Sequence, residues 1–133
     1  MIETDTTAAT LAEDAVHGYF AMWNERDPDR RREIISATWT PTGSYVEPLM
    51  AVEGHEGLEA GVAAMQAQFP GHSIRPAGEV ETHHDRARWR WELMGPDGGE
   101  ALAAGTNVAV LSPDGRLRQV TGFFDHTAGI AGL

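Results

Sequence analysis

The feature that most restricts what this chain can fold into lies in its last third. Two apolar-rich runs between Gly105 and Phe124 are separated by Ser112-Pro113-Asp114-Gly115. Proline second and glycine fourth make that tetrapeptide a turn signal, so the two runs predict a hairpin. Side chains alternate along a strand, which puts Asn107, Ala109 and Leu111 on one face and Thr106, Val108 and Val110 on the other. Apolar residues on both faces predict a strand covered on both sides, with the Asn107 amide turned towards a hydrogen-bonding partner. The rest of the chain has to supply that cover.

Helical periodicity supplies three candidates. Val16, Tyr19, Phe20 and Trp23 form one apolar stripe at i, i+3, i+4 and i+7, predicting a helix from about Thr6 to Arg26, with Thr10 and Glu13 matching a capping box and Thr6 or Thr7 able to cap an earlier start. Asp27-Pro28 reads as the cap and first turn of a second helix reaching about Thr38. Its Arg30, Arg31 and Arg32, flanked by Asp27, Asp29 and Glu33, read as a solvated face rather than a phosphate site. Leu58, Val62, Met65 and Phe69 mark a third helix from about His55, stopped by Pro70-Gly71. Gly57 and Gly61 weaken it but allow close packing against a neighbour.

Strand signals fill the gaps. Trp39 and Pro41-Thr42-Gly43 end the first helices, Ser44–Pro48 and Met50–Glu53 predict short strands, and Ser73–Thr82 and Ala87–Met94 longer ones. In Ala87–Met94, Trp89, Trp91 and Leu93 alternate with Arg88, Arg90 and Glu92, as expected of a sheet with one face packed on helices. Pro96-Asp97-Gly98-Gly99 reads as the next turn. The expected fold class is α+β, with three helices against one face of a curved antiparallel sheet. At 133 residues the chain reads as one domain spanning residues 1–133, with residues 1–5 and 125–133 as loosely held tails.

Composition excludes several function classes. There is no cysteine, hence no disulfide and no thiolate ligand or nucleophile. All 10 basic residues are arginine, which rules out a lysine Schiff base. A net charge of −10 argues against nucleic acid or an anionic membrane as partner. No run reaches membrane-spanning length and the N-terminus lacks signal-peptide order, so the expected location is cytoplasmic. Six histidines are present, but none is spaced as a metal ligand. His83 and His84, if both extended, would point to opposite faces. Neither metal nor cofactor is expected.

The order of elements, with YFAMWNERD in the first helix, SYVEP after the second and GTNVAVLSPDGRL in the closing hairpin, resembles the nuclear transport factor 2-like superfamily. That superfamily includes SnoaL-like polyketide cyclases, ketosteroid isomerases and limonene-epoxide hydrolases. The resemblance covers Leu11 to Phe124 and implies a cystatin-like α+β cone, helices closing over a bent sheet around a pocket, usually in a homodimer. Against the ketosteroid isomerases, Tyr19 falls at the tyrosine that donates to the developing oxyanion. Glu47 falls at the carboxylate that moves the proton, and Asn107 at a second, protonated acid. Asn107 is a departure, since an amide donates but transfers no proton.

The resemblance therefore implies a catalytic set of Tyr19, Glu47 and Asn107 acting without cofactor. A carboxylate in an apolar pocket has its pKa raised, and tyrosine and amide donors stabilise an enolate oxygen. Trp23, Trp39, Tyr45, His55, Phe69, Trp89, Trp91 and Phe123 are the candidates for contact with a small hydrophobic ligand. Each also has a packing explanation: Tyr19 as a core tyrosine, Glu47 as an exposed strand end, Asn107 as a buried pin for a loop, the tryptophans as core. Two functions remain open, an isomerase or cyclase moving a proton beside a carbonyl, and a non-catalytic binding or dimerisation module. The sheet face opposite the helices, with Val108 and Val110, is expected to pair in a homodimer.

Overall fold

A computed structural model of the chain describes residues 2–130, with side chains from Thr7 onwards. Its elements are α1 (Ile2–Asn24), α2 (Pro28–Thr38), β1 (Trp39–Glu47), β2 (Met50–Glu53), α3 (Gly54–Gln68), β3 (Ser73–Pro76), β4 (Glu81–His83), β5 (Arg86–Met94), β6 (Ala103–Leu111) and β7 (Leu117–His126). The helices lie on one face of a curved, open sheet of order β2-β1-β7-β6-β5-β3, with β4 also paired to β5.

The apolar stripe of α1 is buried as its spacing requires. The helix begins earlier than the capping box suggests, which makes Thr10 an interior residue rather than a cap. In α2 the Asp27 carboxylate accepts the Arg30 amide at 3.4 Å and Pro28 occupies the first turn. The solvated arginine face holds for Arg30 and Arg32 but not for Arg31, whose exposure is 3%. Arg31 forms a two-pronged ion pair with the buried Glu59 of α3, Nε to Oε1 at 2.8 Å and Nη2 to Oε2 at 2.7 Å. Its Nη1 also donates to the Glu25 carbonyl at 2.7 Å, tying both helices to the end of α1.

Three strand expectations need correction. Pro41-Thr42-Gly43 does not separate helix from strand: β1 starts directly at Trp39, and these residues fall where its register on β7 shifts and β2 has not yet begun. A missing proline N–H costs no ladder bond there. The single strand expected over Ser73–Thr82 is two, β3 and β4, because Pro76 and Gly78 (φ +91°) break it between its pairings with β5. The sheet is mixed rather than antiparallel, since β1 and β7, far apart in sequence, run parallel.

The closing hairpin forms at the expected turn, where the Gly115 amide donates to the Ser112 carbonyl at 2.9 Å. Strand β6 is covered on one face only: Asn107, Ala109 and Leu111 are buried, while Val108 is 41% exposed because all three helices lie on the other side. Strand β7 continues through Asp125 and His126, and the Gly129 amide then donates to the Leu102 carbonyl at 3.0 Å. Residues 1 and 131–133 of the expected loose tails lie outside the described residues.

Candidate functional site

Between α3 and the inner sheet face is a cavity of about 400 Å³. Small residues create it: Ala60, Gly61 and Ala64 of α3 face it where longer side chains would fill the gap. Gly61 also admits β2, since a Cβ there would lie 3.1 Å from the Met50 sulfur. The walls are Trp23 of α1, Tyr45 and Glu47 of β1, Leu49 of the β1–β2 turn, and Met50 and Val52 of β2. Met65, Gln68 and Phe69 at the end of α3, Ile74 of β3, Trp91 and Leu93 of β5, Ala103 of β6 and Phe124 of β7 complete them.

Strand parity places the polar groups. Tyr45 and Glu47 are two apart on β1 and share its inner face, while Val46 between them is exposed. One residue on from the Val46–Thr121 pairing, Glu47 comes beside Gly122 of β7, and Gly122 in turn pairs with Asn107 of β6. A Cβ at Gly122 would lie 2.8 Å from Asn107 Oδ1 and 3.1 Å from Glu47 Cβ. The bare glycine thus lets an amide and a carboxylate flank one strand on the same face. Asn107 Oδ1 accepts the Trp91 indole N–H at 3.2 Å, and its buried Nδ2 has no hydrogen-bond partner. A Cβ at Gly105 would collide with the Trp91 ring, so glycine is what lets that indole lie against β6.

Electrostatics follow burial. Glu47 is half-buried, and burial raises its pKa, opposed by the backbone amides of Leu49 and Met50. The Leu49 amide donates to Glu47 Oε1 at 3.1 Å. Burial pushes the Tyr19 phenol up to about 12, with Tyr45, Asn107 and Trp23 opposing as polar neighbours and the Glu47 charge adding to the rise. Tyr45 is pushed well above its ordinary value by burial first, then by Tyr19 and Glu47. Both phenols therefore stay protonated at neutral pH, as hydrogen-bond donors rather than bases.

Of the candidate residues, Glu47, Tyr45, Trp23, Phe69 and Trp91 meet at the cavity. Tyr19 and Asn107 are close to them but fully buried behind its floor. Trp89, stacked edge-on to Tyr19 with ring centres 5.1 Å apart, and Trp39 are core residues that do not line the cavity. His55 is turned away, its Nε2 lying 3.1 Å from the carbonyls of Trp39 and Thr40. Phe123 is on the outer face with 58% exposure, and Phe124 lines the cavity instead. Counting by two from the buried Val120 reaches Gly122 and then Phe124, a parity signal present in the sequence. His83 and His84 lie at the expected turn between β4 and β5, where His84 takes φ +53° and the two Nδ1 atoms stand 3.1 Å apart. Among the described residues no group of three or more potential ligands could hold a metal ion, and no helix is long and apolar enough to cross a membrane.

Comparison with known proteins agrees with this architecture. The SnoaL-like domain family matches residues 16–120. A solved SnoaL-like family protein from Agrobacterium tumefaciens, proposed to be an isomerase, superposes with a TM-score of 0.82 at 38% identity, covering 87% of this chain and 98% of that one. A SnoaL-like protein from Jannaschia sp. CCS1, proposed to be a polyketide cyclase, gives 0.65 at 20% identity over 86% and 88% of the two chains. A protein of cystatin-like fold from Nostoc punctiforme gives 0.65 at 14% over 85% and 87%. These last two bear on the fold alone. No protein of curated function matches the chain significantly. With a family match over most of its length and a solved relative of the same kind at 38% identity, the chain belongs to the SnoaL-like family.

Proposed function

We propose that this protein binds a small hydrophobic molecule in the cavity under α3 and isomerises or cyclises it by proton transfer beside a carbonyl, with Glu47 as the base. The observation that carries the reading is the position of Glu47, the one carboxylate among the described residues lining an otherwise largely apolar cavity. Burial shifts its pKa upwards, towards the range where a carboxylate is an effective general base. Glu47 takes a proton from the carbon next to the carbonyl, the electron pair moves onto the oxygen as an enolate, and Glu47 returns the proton at another carbon. Tyr45 is the hydroxyl of the wall for that oxygen. Tyr19 acts on Tyr45 from behind the floor, with Asn107 as a polar neighbour of Tyr19.

The test is hydrogen–deuterium exchange at the α-carbon of a bulky ketone such as 2-cyclohexylcyclohexanone, followed by NMR. Exchange above the buffer rate is expected, falling at least about 100-fold in Glu47→Gln while binding persists. Equal exchange in both proteins would remove Glu47 as the base.

A second reading, a non-catalytic binding module, is favoured by the burial of Tyr19 and Asn107 away from the cavity. It predicts ketone binding with no exchange in either protein. Under both readings we propose a homodimer through the outer sheet face, where Val46, Val108 and Phe123 are exposed and Val46 and Val108 each pair with Thr121.

A further inference from the structure

We infer that the ligand of this cavity carries a cationic nitrogen on its apolar body. The inference rests on the cavity being the ligand site, as proposed above, and adds the charge of the molecule it takes. The aromatic walls come as two edge-to-face pairs, Trp23 with Tyr45 at 5.4 Å between ring centres and Trp91 with Phe124 at 5.7 Å. Aromatic rings attract a cation through their quadrupole, and most strongly when it is desolvated. Between these pairs stands Glu47: Tyr45 precedes it by two on β1, and Phe124 follows its neighbour Gly122 by two on β7.

The carboxylate has no counter-charge of its own. Neither arginine nor histidine is among the described residues lining the cavity. The ion pairs of the described residues engage other acids, Arg31 with Glu59, Arg75 with Glu92 and Arg88 with Glu81 among them. Only backbone amides oppose the effect of burial on Glu47. A half-buried carboxylate in an apolar setting is costly unless paired, and an ammonium ligand would pair it. The same arrangement rejects an acid, which would bring a second negative charge to a chain already at −10.

Three probes of one shape separate the possibilities: 2-naphthylmethylammonium, 2-naphthalenemethanol and 2-naphthoate, titrated calorimetrically at neutral pH and physiological salt. The ammonium is expected to bind about tenfold or more tighter than the alcohol, and the carboxylate not measurably. In Glu47→Gln, ammonium and alcohol should come within about threefold of each other. Phe124→Leu, which leaves the carboxylate in place, should weaken the ammonium more than the alcohol. If alcohol and ammonium bind equally to the unaltered protein, this inference falls and the cavity remains a ligand site. An ammonium preference unchanged in Glu47→Gln overturns the pairing with the carboxylate, and equal weakening by Phe124→Leu overturns the part given to the aromatic walls. If none of the three binds, the proposed function falls with it.

Discussion

Gly122 offers the sharpest test of how the site is assembled, because the substitution adds a single methyl at a known place. In Gly122→Ala the new Cβ would lie 2.8 Å from Asn107 Oδ1 and 3.1 Å from Glu47 Cβ. Neither neighbour yields easily. Asn107 is fully buried and held by the Trp91 indole, and the Glu47 Cβ is attached directly to the backbone of β1, which pairs on both sides. Overpacking of this kind costs about 1–3 kcal/mol. Replacing glycine by alanine in a strand returns about 0.4–1 kcal/mol by restricting the unfolded chain. The net expectation is a loss of about 0–2.6 kcal/mol, centred on about 1.3, in urea denaturation at neutral pH, with the slope unchanged.

Pairing it with Asn107→Ala separates the cause. Asn107→Ala alone is destabilising, because it empties a buried position and leaves the Trp91 N–H unpaired. If the clash is with the amide, Gly122→Ala should cost clearly less when Asn107 is already alanine, a coupling of about 0.5–3 kcal/mol as seen for residues in contact. Two substitutions whose effects simply add would refute the close approach of the Asn107 amide to Gly122.

Two further outcomes are expected. Burial raises the Glu47 pKa in the folded state above its unfolded value of about 4.3, so between the two values the folded protein binds more protons and stability falls as pH rises. Glu47→Gln should therefore melt above the unaltered protein at pH 8, with the gap closing below about pH 4. A lower melting temperature at pH 8 would show that the carboxylate is not penalised by burial. Val108→Asp, on the exposed outer face, should convert a dimer to a monomer in sedimentation at micromolar concentration without changing the far-UV circular dichroism. A monomer before substitution would remove the proposed interface.

Local periodicity made much of this molecule legible. Val16, Tyr19, Phe20 and Trp23 lie on one buried stripe, and Trp89, Trp91 and Leu93 face inward, because three-to-four and two-residue spacings translate directly into faces. Features that depend on partners far along the chain were not legible. Arg31 looks like its exposed neighbours until Glu59, 28 residues later, comes to meet it. The parallel pairing of β1 with β7 joins segments with no local signal in common. The choice between Phe123 and Phe124 was local instead, since the parity set by Val120 turns Phe124 inward. The prominence of Tyr19 and Asn107 came from their resemblance to family positions, whereas their depth behind the cavity floor depends on the packing of Tyr45, Trp23 and Trp91 in front of them.

The cavity itself bears on function through its cost. It is not a sealed void: exposed Leu49, Ala60, Ala64 and Gln68 stand in its wall, so water reaches it when no ligand is bound. Its cost is the apolar surface left wet, about 25 cal/mol per Å². Filling it from within would take only larger apolar residues at Ala60 or Ala64, on the helix face that already borders it. Water is a poor occupant, because the walls offer few polar partners beyond Glu47, Tyr45 and Gln68. An apolar molecule that releases this water and meets Glu47 stabilises the folded state in proportion to its affinity. Apolar walls and small residues on α3 thus suit an apolar occupant, and under the proposed function that occupant would meet Glu47.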